Sequence, residues 1–108
     1  MEKESEKTLE ARLVDEVARR GGMTIKLTSQ FHRGLPDRLV LLPHKTIAFV
    51  EMKSTGEKPR PLQIRAMRKL TSLGFRCFVA DSTESLDDLL RRLDTRLDRI
   101  NSDLTDAL

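Results

Sequence analysis

The sequence has few aromatic residues and only one cysteine, and both shortages limit what the chain can be. It contains four Phe and neither Trp nor Tyr, so its core must be built from Leu, Val, Ile and Met. The single cysteine, Cys77, excludes an intrachain disulfide and fits a reducing compartment. No apolar run approaches the length of a membrane span, and the charged N-terminus is unlike a signal peptide. We therefore expect a cytoplasmic protein with no membrane partner.

A chain of 108 residues makes one small domain, and its net charge of +3 is too low to identify a partner. The distribution of charge says more, because the stretch 52–76 carries a basic block with one acid, Glu57, whereas the end of the chain is acidic. The basic block consists of Lys53, Lys58, Arg60, Arg65, Arg68, Lys69 and Arg76. Such a block suits contact with a polyanion, and the alternative is a solvated helix face.

Two apolar runs of strand length, 37–42 and 46–53, flank a break at 43–45 and predict a β-hairpin. Asp37 opens the first run, and Glu51 and Lys53 close the second. Because the head of one antiparallel strand lies beside the tail of the next, these three charged side chains should meet at one end of the hairpin.

The chemistry of that charged end follows from its residue types. Side chains alternate along a strand, so Glu51 and Lys53 should share a face while Met52 points the other way. Two neighbouring carboxylates repel each other, and a hard divalent cation relieves the repulsion. A nearby lysine can stabilise charge that develops on a phosphate. The pattern indicates metal-assisted hydrolysis of a phosphodiester bond.

These residues carry a resemblance to a known family. The motif Pro36-Asp37, followed by Glu51-Met52-Lys53 and later by Gln63, resembles the virus-type replication-repair nuclease (VRR-NUC) branch of the PD-(D/E)XK nucleases. The resemblance implies an α/β, restriction-endonuclease-like fold in which helices flank a mixed central sheet of about four strands, in the order α-β-β-β-α-β-α. It also implies a stand-alone nuclease of a bacterial cell or a phage-infected host.

The resemblance further implies which residues do the chemistry. The catalytic residues would be Asp37, Glu51, Lys53 and Gln63. Mg²⁺ or Mn²⁺ would be held by Glu10, Asp37, Glu51 and the backbone carbonyl of Met52. From periodicity alone, Glu10 is also a candidate for a boundary salt bridge on the first helix, and Gln63 for satisfying backbone groups of a loop.

Five further residues are candidates for binding DNA: Lys26, His32, Arg33, Lys58 and Arg60. Lys26 could instead face solvent, and the loop 54–61 could be an ordinary connection between a strand and a helix. The imidazole of His32 could act as a general acid, but a phosphate contact is the simpler role for it and Arg33.

Three segments are expected along the chain. Residues 1–8 should be a flexible N-terminus, 9–96 the nuclease domain, and 97–108 a helical extension that could lie in a dimer interface. Within the domain we expect a helix from Leu9, a strand at 23–28, a helix at 62–73 with Leu62 and Leu73 in its buried stripe, a strand at 75–80 and a helix from about Glu84.

The function predicted from these features is a metal-dependent DNA endonuclease. A two-fold dimer would suit a substrate with the same symmetry, and the resemblance to stand-alone members of the family implies a homodimer that cleaves four-way (Holliday) junctions in DNA repair, which is the leading hypothesis. The alternatives are flap or end processing, a restriction-type cut, or a non-catalytic DNA-binding subunit of a replication or repair complex.

Overall fold

The computed structural model describes residues 3–28 and 32–94. Three helices and four strands follow one another in the predicted order α-β-β-β-α-β-α, which is confirmed. They are α1 (Glu6–Arg19), β1 (Met23–Lys26), β2 (Arg38–Leu42), β3 (Thr46–Met52), α2 (Pro61–Ser72), β4 (Arg76–Ala80) and α3 (Thr83–Asp94). None of the helices in the described part of the chain has the length and apolar character needed to cross a membrane.

The strands form one mixed sheet in the order β1-β2-β3-β4. β1 with β2 and β2 with β3 are antiparallel, whereas β3 and β4 are parallel because α2 carries the chain back between them. The predicted hairpin is therefore the central pair of the sheet. Its turn holds His44 and Lys45 at φ 65° and 60°, and both side chains are exposed.

The core lies between one face of the sheet and the helices α1 and α3. Alternate residues of β2, β3 and β4 point into it, and leucines and one valine of the two helices cover them. The buried apolar side chains are Leu9, Leu13, Val17, Val40, Ala48, Val50, Met52, Ala80, Leu86, Leu89, Leu90 and Leu93. Met52 is fully buried here, on the face opposite to its neighbours Glu51 and Lys53, as alternation predicts.

The other face of the sheet is only partly covered. α2 packs chiefly against β4, so side chains of the first three strands stay open, with Met23 56%, Ile25 39% and Ile47 37% exposed. The prediction that the apolar stripe of α2 is buried is wrong at both ends, because Leu62 and Leu73 are 46% and 60% exposed. β3 is likewise not covered on both faces along its whole length, because Ile47 is exposed. A helix placed over the edge strand cannot bury a complete stripe.

The first helix begins earlier than expected. α1 begins at Glu6 rather than Leu9, because the Ser5 side chain caps it by accepting a 3.1 Å hydrogen bond from the Thr8 N–H. The Glu4 N–H donates to the Thr55 hydroxyl at 2.9 Å, and the Glu4 carboxylate accepts from the N–H of Thr83. Residues 4–8 are thus held by their neighbours. The expected extension at 97–108 lies outside the described residues.

Candidate active site

Asp37 and Glu51 lie at the same end of the hairpin. The register pairs Arg38 with Val50, which places the preceding Asp37 opposite Glu51. Oδ2 of Asp37 accepts a 2.7 Å hydrogen bond from the backbone N–H of Met52, so the carboxylate is fixed against β3. Sheet pairing therefore brings together two carboxylates that are distant in the chain.

The Glu51 carboxylate is buried and only half satisfied. Its side chain is 1% exposed, and Oε2 lies 3.2 Å from Lys53 Nζ and 2.7 Å from Gln63 Nε2. Oε1 has no hydrogen-bond partner among the described residues. Burial first, and the nearby Asp37 carboxylate second, raise the pKa of Glu51, while the Lys53 ammonium opposes this. An unpartnered, buried carboxylate oxygen is costly unless something binds it.

Lys53 is also largely buried, with an 11% exposed side chain. Its backbone N–H donates to the carbonyl of Ala80 at 2.9 Å, which anchors it between β3 and β4. The ammonium group is therefore presented beside Glu51 from a rigid strand end, not from a flexible loop.

Gln63 is the one buried residue of α2. Its Oε1 accepts a 2.8 Å hydrogen bond from the backbone N–H of Arg60, and its Nε2 donates to Glu51. Both ends of the amide are fixed, so the orientation of the Glu51 carboxylate is tied to the first turn of α2. Both functions considered for Gln63, supporting the carboxylate and satisfying a loop backbone group, are present at once.

Glu10 is placed differently from the other predicted ligands. Its Oε2 lies 3.0 Å from Nε of Arg38, in a partly buried ion pair. Glu6, one turn earlier on α1, interacts electrostatically with the site instead. Its pKa is raised first by partial desolvation and second by the Asp37 carboxylate. Sequence reasoning missed Glu6, although its spacing of four residues from Glu10 puts both on one helix face. The metal-ligand role of Glu10 stays a prediction.

The carboxylate oxygens at the site are the kind of donor that a hard divalent cation prefers, but they are few in number. The described residues contain no cluster of three or more His, Cys, Asp or Glu side chains able to hold a metal. The two carboxylates of Asp37 and Glu51, with the unpartnered Oε1, do match the one or two carboxylates that Mg²⁺ uses when waters and substrate phosphates complete its coordination. The Met52 carbonyl as a ligand stays a prediction.

The five predicted DNA-binding residues are all exposed, as a contact to a polyanion requires. Lys26 ends β1 and is paired in register with Arg38, at the same end of the sheet as Asp37. Arg33 and Arg60 line one cavity together with Gln63. His32 precedes Arg33 in that loop, and Lys58 lies in the segment between β3 and α2. Their role in binding DNA stays a prediction.

A mixed sheet whose hairpin ends in an Asp, a Glu and a Lys, with a helix-borne Gln on the Glu, defines the restriction-endonuclease-like class of folds. The family model of the VRR-NUC domain matches residues 2–84, and the chain belongs to this family. It is 47% identical over 79 residues to "Putative nuclease p44" of Acyrthosiphon pisum secondary endosymbiont phage 1, covering 73% of this chain and 85% of the phage protein. A solved VRR_NUC domain structure aligns with TM-score 0.76 and 30% identity, over 82% of this chain and 97% of that one.

Proposed function

We propose that this chain is a Mg²⁺- or Mn²⁺-dependent DNA endonuclease that hydrolyses phosphodiester bonds. The observation that carries the proposal is the buried Oε1 of Glu51, which lacks a partner among the described residues, on a carboxylate whose other oxygen lies 3.2 Å from the Lys53 ammonium. A carboxylate that serves only structure would have both oxygens satisfied. Membership of the VRR-NUC family and the relative named as a nuclease support the same reading.

Each residue has a distinct role in the proposal. Asp37, Glu51, the Met52 carbonyl and Glu10 would hold the cation. When bound, the cation would neutralise phosphate oxygens and lower the pKa of water. The ammonium group of Lys53, 3.2 Å from Glu51 Oε2, stabilises the negative charge that develops on the phosphate, so an electrostatic role is preferred to a general-base role. Gln63 orients Glu51 by its hydrogen bond to Oε2 and adds no charge.

The preferred substrate is proposed to be a four-way junction, cut by a homodimer in the cytoplasm. A small domain offers little surface for reading base sequence, so it is better suited to recognising DNA shape and backbone. The open sheet face with Met23, Ile25 and Ile47 supports self-association, because an uncharged apolar surface is complementary to its own copy. Sedimentation equilibrium of the wild type and Ile25→Lys tests the dimer, and a monomeric wild type would remove it.

The substrate is tested with a four-way junction, a flap and a linear duplex of matched sequence, each with Mg²⁺ or Mn²⁺. Junction resolution predicts preferential cutting of the junction by paired, symmetric nicks. Equal cutting of all three would remove the junction claim and leave a general nuclease. Preferential cutting of the flap or of duplex ends would favour the end-processing alternative, and sequence-dependent duplex cutting the restriction-type one.

A non-catalytic DNA-binding subunit is the competing function from another class. It predicts DNA binding that survives both Lys53→Ala and Glu51→Gln, with no metal-dependent cleavage by the wild type. The carboxylates of the buried Glu51 and the half-buried Asp37 would repel a phosphate and weaken simple binding, which is why the catalytic reading is preferred.

A further inference from the structure

A cavity of about 590 Å³ adjoins the candidate active site at the start of α2. It is lined by Arg33, Gly34, Arg60, Pro61, Leu62 and Gln63. Its volume falls in the range of about 300–1,000 Å³ that small-molecule sites occupy. The cavity is therefore large enough for one nucleotide.

Two guanidinium groups stand at this cavity without a carboxylate to neutralise them. None of the ion pairs between described side chains uses Arg33 or Arg60. Both side chains are exposed. Arginine forks match the geometry of phosphate oxygens, so a phosphate is the ligand that this part of the lining fits.

The remaining wall of the cavity is apolar. Leu62 is 46% exposed although it lies in the first turn of a helix, and Pro61 beside it is exposed as well. An apolar wall next to two guanidinium groups suits a ligand that has a charged end and a flat or apolar body. A nucleotide has both, in its phosphate and in its base and sugar.

The cavity lies next to the Glu51 carboxylate, and one residue contacts both. Gln63 lines the cavity and donates to Glu51 Oε2 at 2.7 Å. On the other side, Gly34 approaches α2 so closely that an added Cβ would lie 2.6 Å from the Leu62 carbonyl oxygen, and its φ of +87° also favours glycine. The loop that leads to Asp37 therefore packs against α2 at the rim of the cavity.

We propose that this cavity binds one unstacked nucleotide of the substrate strand, next to the phosphodiester that is cut. The proposal rests on the proposed nuclease function and adds a structural requirement to the substrate. Arg33 and Arg60 hold the phosphate of that nucleotide, and Leu62 and Pro61 contact its base. A base inside an intact duplex is stacked on both faces and cannot reach this wall. The enzyme therefore requires an unpaired or easily unstacked nucleotide beside the cut, as occurs at a branch point.

An abasic scan tests this on the cleaved substrate. Single abasic sites are placed at each position within three nucleotides of the cut, and cleavage rates are compared with the intact strand. Because a base contact with a side chain has a large effect on binding, one position should slow the wild type about tenfold or more. Leu62→Ala should cut the intact strand more slowly and lose this discrimination. An absence of any sensitive position, or equal sensitivity in Leu62→Ala, would overturn the proposal.

A second measurement does not need cleavage, so failure of the nuclease assignment would not obscure it. Thymidine 5′-monophosphate and inorganic phosphate are titrated into the metal-free protein, and amide chemical shifts are followed by NMR. The nucleotide should shift the amide signals of Arg60, Leu62 and Gln63 and bind more tightly than phosphate. Arg60→Ala should weaken both ligands, and Leu62→Ala the nucleotide alone.

Matched variants guard against unfolding and general charge effects. Leu73→Ala removes another exposed leucine at the other end of α2, and Arg19→Ala removes an exposed arginine of α1. Both should bind the nucleotide as the wild type does. Shifts that do not cluster at the cavity, or equal affinity for phosphate and nucleotide, would contradict the proposed site.

Discussion

The side-chain amide of Gln63 donates a hydrogen bond of 2.7 Å to Oε2 of Glu51, joining the first turn of α2 to the end of β3. Lys53 approaches the same oxygen, at 3.2 Å, and the other oxygen of Glu51 is left without a partner. The two residues thus present one free, buried carboxylate oxygen beside Asp37. The roles proposed for Lys53, Glu51 and Gln63 depend on this arrangement.

Replacing Lys53 with Ala should lower DNA cleavage about 100-fold or more, because one positioned charge that stabilises the transition state is removed. Single-turnover cleavage of a labelled junction measures the effect, and a gel-shift assay should show that DNA binding is largely kept. Lys45→Ala, in the exposed turn of the hairpin, is the matched control and should cut normally. Full activity in Lys53→Ala would contradict the assigned role.

Divalent cations should stabilise the fold through Glu51. At a Mn²⁺ concentration 100 times its Kd, binding to the folded state alone adds about 2.7 kcal/mol to the free energy of unfolding. Thermal unfolding should therefore shift upward in the wild type and not in Glu51→Gln. The control is Glu57→Gln, which alters an exposed acid of the following loop and should respond as the wild type does. An equal shift in all three proteins would place the cation elsewhere.

The stability of the metal-free protein should depend on pH through Glu51. Because burial raises the pKa of Glu51 above its ordinary value of 4.5, the folded state binds this proton more tightly than the unfolded state. The resulting stabilisation is complete below pH 4.5 and is lost as the pH rises through the raised pKa. Urea unfolding with a chelator present should show the wild type losing stability relative to Glu51→Gln over that interval. A difference that is constant with pH would contradict this.

Gln63→Leu should change the pH dependence of cleavage as well as its rate. The hydrogen bond from Nε2 favours the ionised form of Glu51, so its loss should raise the pKa of Glu51 further. The acidic limb of the pH–rate profile should move to higher pH. A variant that is slower at every pH by the same factor would indicate that Gln63 acts only through packing of α2.

The acidic residue that α1 supplies can be identified by paired substitutions. If Glu10 leaves Arg38 to bind the cation, Glu10→Gln should weaken Mn²⁺ binding tenfold or more, whereas Glu6→Gln should have a small effect. Isothermal titration of the two variants measures this directly. The opposite result would assign the ligand to Glu6, whose pKa already responds to Asp37.

The hairpin and the gathering of its charged residues could be read from the sequence because they follow local rules. Alternation along β3 separates Met52 from Glu51 and Lys53, and antiparallel pairing brings Asp37 back to them. The order of the elements followed from hydrophobic periodicity in the same way. Membership of the VRR-NUC family rests on these motif residues in their spacing.

Other features could not be read because they depend on distant partners. The contacts that join Glu4 to Thr55 and Thr83 could not be foreseen, because periodicity near the N-terminus does not reveal them. The stripe of α2 looked buried from Leu62 to Leu73, but amphipathic spacing does not tell how much of a sheet lies beneath a helix. The pairing of Glu10 with Arg38 likewise depends on how α1 crosses the sheet.

The amino-acid sequence by itself determined the element order through hydrophobic periodicity and the charged end of the hairpin through alternation and strand pairing. The resemblance of its motif to the VRR-NUC domain indicated the family and the candidate roles of Glu10 and Gln63. Only the tertiary structure decided that one oxygen of Glu51 stays unpartnered, that Gln63 orients the other, and that two arginines and a leucine enclose a cavity beside them. The reason is physical: burial and hydrogen-bond satisfaction are properties of packed neighbours, and those neighbours come from separate parts of the chain.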